Sequence, residues 1–190
     1  MKKLLCYGDS NTFGYDPRSW PGGRYPEDVR WTGLLRTAYS VTEAGQNGRE
    51  IPRREPELME LRQLLERESP DVLTVMLGTN DLLQSPHFTA ADTAARMEHF
   101  LHALPLTGGT RVLLIAPPPM VPGTWVTEAR LTEQSALLSS CYQALSGRLG
   151  IAFADAGAWG AELLFDGVHF SPAGHHAFAA GLSKALAALF

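Results

Sequence analysis

The chain has 190 residues, 16 basic and 20 acidic side chains, 45% apolar residues and a formal net charge of -4, enough to bury a core without disulfide or metal staples. Only Lys2, Lys3 and Lys184 are lysines and no basic run occurs, which argues against phosphate-backbone binding. No stretch approaches the roughly 20 apolar residues of a membrane span, and two cysteines, Cys6 and Cys141, exclude a disulfide scaffold.

An apolar run over residues 2–7 reads as a strand ending at Gly8-Asp9. Those two residues interrupt it before it reaches the length of a signal-peptide core, so the expected location is the cytoplasm. A Pro/Gly-dense loop over 16–28 carries Trp20, and a helix is predicted over 31–39. A second strand over 40–44 follows, with Gly45 and Gly48 just beyond it. The pattern then repeats: helix 56–68, strand 71–77, helix 89–104, strand 111–116, helix 127–149, strand 151–154 and helix 172–189. Between the fourth strand and its helix lies a second Pro/Gly-dense loop, 117–124, followed by Trp125. Strands such as 72–77 do not alternate with polar residues, the mark of burial on both faces of a parallel sheet. The expected fold is therefore α/β, a three-layer flavodoxin-like sandwich of a five-stranded parallel sheet with helices on both faces, as a single domain over 1–190. Ligands in such folds bind beyond the carboxyl ends of the strands. Most of the charge lies in the first half, so the less polar later helices allow a homo-oligomer.

Chemistry-bearing residues fall in the loops at that edge. Gly8-Asp9-Ser10-Asn11 puts a serine just past the first strand, in a nucleophile's position. A serine hydroxyl needs a base to take its proton and a carboxylate to orient that base. Asp166-Gly167-Val168-His169, after the fifth strand, offers both, with His169 as base and Asp166 as its partner. Attack on a carbonyl develops an oxyanion, and Asn80 in Gly78-Thr79-Asn80-Asp81 supplies an amide that donates without titrating. Gly45 and Gly48 can each bring a backbone N–H close to substrate. Trp20 and Trp125 can wall an acyl or alcohol pocket. His175 and His176 lack a metal-ligand spacing, and neither metal nor cofactor is required.

Together these segments resemble the four blocks of the SGNH (GDSL) hydrolase family, over nearly the whole chain and in the family's order. The resemblance implies Ser10 as nucleophile, His169 as base and Asp166 as its partner. It also implies an oxyanion hole of the Ser10 N–H, the Gly45 N–H and the Asn80 amide. Asp28-Val29-Arg30-Trp31-Thr32-Gly33 and Ala116-Pro117-Pro118-Pro119 look most like the arylesterase and acyltransferase branch. The expected function is a serine carboxylester hydrolase for short-chain acyl or aryl esters, with transfer to alcohols as a further activity. Carbohydrate acetylesterase, thioesterase and lysophospholipase use the same triad and remain alternatives. The expected partner is a small-molecule ester, with no nucleic acid and no membrane. The rival class is a non-enzymatic flavodoxin-like binding module, weakened by the lack of a phosphate loop.

Overall fold

The structure, a computed structural model, describes residues 1–19, 22–105 and 109–189. Five strands, β1 (Lys2–Gly8), β2 (Tyr39–Gly45), β3 (Val72–Met76), β4 (Arg111–Ala116) and β5 (Ala152–Asp155), form one sheet in the order β2-β1-β3-β4-β5. Every neighbouring pair is parallel. Among the described residues seven α-helices connect and cover it: α1 (Ser10–Phe13), α2 (Trp31–Leu34), α3 (Glu55–Glu68), α4 (Thr79–Gln84), α5 (Ala90–His102), α6 (Ala129–Leu149) and α7 (Pro172–Ala187).

The two-residue period of the strands divides their side chains between two cores. Leu5 and Tyr7 of β1, Leu73 and Val75 of β3, and Val112 and Leu114 of β4 face one side, where α3, α5 and α6 bring Leu61, Met97, Phe100, Leu138 and Tyr142. Leu4, Cys6, Val72, Met76, Leu113 and Ile115 face the other, against Trp31 of α2 and Phe178, Leu182 and Leu186 of α7. This double burial is why the strands read as unbroken apolar runs. It makes the molecule the three-layer sandwich expected.

Beginning at β1, the chain steps outward to β2 and then crosses back over β1 to β3. The strand order therefore reverses between β1 and β3, and a crevice opens beyond their carboxyl ends. On the outer edge, Glu43 of β2 accepts from Arg24, Arg30 and Arg36. Burial alone would raise the Glu43 pKa, but the Arg30 and Arg36 guanidiniums outweigh it and hold the carboxyl below its usual range.

The predicted helix over 31–39 is shorter than expected. Helix α2 stops at Leu34, a 3-10 turn covers Leu35–Thr37, and Tyr39 already pairs with Lys2 as the first residue of β2. Two short helices, α1 of four residues and α4 of six, lie outside the helices expected from the sequence. Among the described residues no helix is long and apolar enough to cross a membrane.

Candidate active site

Strand β1 delivers Ser10 to the crevice. Gly8 ends the strand where a Cβ would overlap Thr12 Oγ1, so only glycine lets α1 fold back so tightly. Asp9 caps α1 by accepting the Asn11 N–H at 3.0 Å, and Ser10 follows as the first helical residue. Burial pushes the Asp9 carboxyl up to about 6, against the Asn11 N–H and the charges of His169 and Arg49.

The segment after β5 returns His169 to the same point. Asp166 accepts the backbone N–H groups of Val168 and His169, each at 2.9 Å, which folds the loop into a turn, and Gly167 takes its left-handed corner at φ +81°. The same carboxylate meets His169 Nδ1 at 2.7 Å, while His169 Nε2 lies 2.9 Å from Ser10 Oγ. Burial acts to raise the Asp166 pKa, but the His169 ring and the two N–H donors prevail and hold it below the usual carboxylate range. An anionic carboxylate at Nδ1 fixes the ring proton there and leaves Nε2 facing the hydroxyl as an acceptor. A chain of this kind can take a proton from a serine as it attacks a carbonyl carbon.

Helix α4 brings Asn80 to the crevice after β3. Its Nδ2 donates to the Arg49 carbonyl at 3.1 Å, which uses one amide hydrogen and leaves the other for the cavity that Asn80 lines. One turn later Gln84 Nε2 donates to the Gly48 carbonyl at 3.1 Å, so two amides on α4 hold consecutive peptide units of the loop after β2. Arg49 secures the other side of that loop. Its guanidinium donates to Gly8 O at 2.8 Å and to Ala44 O, and stacks 4.2 Å over the Tyr7 ring. Buried Asp81 accepts the Ile51 N–H at 3.1 Å and pairs with Arg96 at 2.6 Å.

A cavity of about 580 Å³ opens on Ser10, His169 and Asn80. Tyr15 and Trp125 wall it, with ring centroids 4.8 and 4.9 Å from the His169 ring, so the imidazole sits between two aromatics. Trp125 is half exposed, and its backbone N–H donates to Asp166 O at 3.1 Å, tying this wall to the loop that carries the acid. Asn47, Gly48, Leu83 and Gln84 complete the lining.

Of the expected residues, Ser10, Asn80, Trp125, Asp166 and His169 come together. Gly45 does not line the cavity. It ends β2 opposite Gly8 in the sheet register, and a Cβ there would overlap Phe13 N of α1. Its lack of a side chain lets α1 pack against β2. Gly48, at φ +73°, is the glycine that lines the cavity, with open space around its Cβ position. Trp20 lies outside the described residues. Tyr15, Leu83 and Gln84 were not found by sequence, because nothing in their local pattern marks them as walls.

Gly45→Ala is expected to destabilise the protein by about 1–3 kcal/mol, the usual cost of an overpacked site, read as a lower denaturation midpoint. Unchanged stability would show that the contact between β2 and α1 has room for a methyl group and would overturn this packing role.

His175 plays a different part. It is fully buried in α7, and its Nδ1 accepts the Trp31 N–H at 3.4 Å. Burial, with His176 and Arg30 nearby, pushes its pKa down to about 3, so it joins α7 to α2 as a neutral acceptor.

The profile of the GDSL-like lipase/acylhydrolase family matches residues 6–177. The chain belongs to this family. Solved structures similar over the full length of both chains agree: an aryl esterase of M. smegmatis (27% identity, TM-score 0.89) and a carbohydrate acetylesterase from Sinorhizobium meliloti (29%, 0.86). A putative arylesterase from Agrobacterium tumefaciens is similar over 100% of both chains at 28% identity and a TM-score of 0.87. No curated protein matches the sequence. This GDSL-family chain is thus an ester hydrolase with the SGNH hydrolase fold, and the binding-module alternative falls away.

Proposed function

We propose that the chain is a serine carboxylester hydrolase for short acyl and aryl esters, working through an acyl-enzyme on Ser10. The observation that carries this reading is the hydrogen-bonded series Asp166, His169, Ser10, whose hydroxyl end opens on the cavity. In the first half-reaction Ser10 Oγ attacks the ester carbonyl as His169 Nε2 takes its proton, then passes that proton to the departing alcohol. In the second, water gives a proton to Nε2 and attacks the acyl-enzyme, and free Ser10 returns with the carboxylic acid. An alcohol that replaces water makes the same site an acyltransferase.

Developing charge on the carbonyl oxygen is met by the Ser10 N–H, the free Asn80 amide hydrogen and the Gly48 N–H, a preorganised neutral set. Gly48 stands here in place of Gly45 because it is the one that lines the cavity. The aromatic walls Tyr15 and Trp125 suit a flat aryl group or the apolar face of a sugar ring, beside the polar Asn47 and Gln84. Both chemistries occur among the names of the similar structures. Cys6 and Cys141 are free thiols, which favours the reducing cytoplasm as its location.

A fluorophosphonate probe is expected to label the protein at Ser10 and nowhere else. In a series of p-nitrophenyl esters, kcat/KM should be highest for acetate to butyrate and fall for longer chains. Added alcohol should divert part of the acyl group into a new ester. Labelling elsewhere, or a maximum at long chains, would replace this reading.

A further inference from the structure

Ser10 and His169 come from loops 159 positions apart, and their 2.9 Å contact must be held by something more rigid than itself. Ordinary secondary structure does not join the two segments. Ser10 belongs to α1, whereas residues 166–169 form a turn that belongs to no strand of the sheet. The connection runs through Asn11, the neighbour of Ser10.

The Asn11 side chain is buried, and its amide lies along the backbone of the His169 loop. Asn11 Nδ2 donates to Val168 O at 3.0 Å, and Asn11 Oδ1 accepts the Phe170 N–H at 2.9 Å. These two peptide groups flank His169 on either side. One side-chain amide thus imitates a strand partner, pairing with a donor and an acceptor that bracket the residue between them. Asn11 is itself fixed. Its N–H donates to Asp9 Oδ1 at 3.0 Å, and its carbonyl accepts from Trp31 Nε1 at 2.8 Å, so the clamp is anchored to both α1 and α2.

We infer that Asn11 is a positioning residue for the reaction: its amide locks the backbone on both sides of His169 and so holds the imidazole at hydrogen-bonding distance from Ser10. This rests on the roles proposed above for Ser10 and His169. The chemistry requires an amide of this length. Leucine offers neither partner, and aspartate keeps an acceptor for Phe170 but turns a second acceptor on Val168 O. Glutamine adds a methylene where the gap is already filled. A displacement of the ring by about 1 Å is enough to cost about 100-fold in rate.

A double-mutant cycle on p-nitrophenyl acetate tests this. Asn11→Ala and Asn11→Asp are each made in the parent and in a His169→Ala background, and kcat and KM are measured for every protein, with thermal denaturation alongside. In the parent, each is expected to lower kcat about 10- to 100-fold while KM stays within about two-fold. In the His169→Ala background each should cost less than about two-fold, since no imidazole is left to place. An equal loss in both backgrounds, an effect confined to KM, or an unchanged kcat would overturn the inference. So would failure of both variants to fold, because the side chain would then be holding the fold and not the site. A His169→Ala protein as active as the parent would remove the proposed triad itself, and this inference with it, a result distinct from all the others.

Discussion

Ser10→Ala is expected to leave a folded protein whose kcat on p-nitrophenyl acetate is lowered by roughly 10,000-fold or more. Among the described residues, loss of the hydroxyl removes one side-chain hydrogen bond, that with His169 Nε2, because the cap of α1 is supplied by Asp9 and not by Ser10. Stability should therefore change by less than about 1 kcal/mol. The donors around the developing oxyanion are untouched, so the variant retains slow hydrolysis above the rate in buffer. Turnover near that of the parent, in a protein shown by mass spectrometry to carry alanine at position 10, would require a different nucleophile.

Asp166→Asn is expected to cost about 10,000-fold in kcat with the fold intact, for a subtler reason. The turn at 166–169 depends on an acceptor at Asp166 Oδ1 for two backbone N–H groups, and an asparagine oxygen can still serve them. What changes is the other atom. At 2.7 Å from His169 Nδ1 the carboxylate oxygen accepts, whereas an amide nitrogen donates. The imidazole must then accept at Nδ1 and carry its proton on Nε2, pointing at the Ser10 hydroxyl it should deprotonate. Thermal denaturation close to the parent's, with kcat collapsed and KM little altered, is the expected signature. A loss in kcat below about ten-fold would show that the ring finds its working tautomer without the carboxylate.

The sheet was legible because double burial turns strands into unbroken apolar runs, and the long helices were legible because one face of each is apolar at the helical period. Neither signal reaches a helix of one turn. Helices α1 and α4, at four and six residues, are too short to repeat a pattern, yet they carry Ser10 and Asn80. The residue types were still readable from their chemistry, since a serine, a histidine, a carboxylate and an amide fell in segments that follow strands. The choice between Gly45 and Gly48 was not readable. Three positions apart, one ends β2 and the other lies in the loop beyond it, a difference set by pairing of Gly45 with Gly8 and by the side chains of Arg49 and Gln84. The predicted helix over 31–39 ran too long because apolar residues at helical spacing continue to the point where Tyr39 is recruited by β1. Tyr15, Leu83 and Gln84 became walls only through packing of segments remote in sequence.

The distance along the chain between Ser10 and His169 also has a bearing on biosynthesis. Ser10 lies in the first strand-to-helix turn, and His169, its base in the mechanism proposed, follows 159 residues later. In the mechanism proposed, a nascent chain that has not yet reached Asp166 carries the nucleophile without the base that would deprotonate it. Such a chain is expected to turn over no ester through Ser10, although all five strands precede Asp166. Under the proposed roles, onset of hydrolysis would report that the segment carrying Asp166 and His169 has been synthesised and has docked against the turn that carries Ser10.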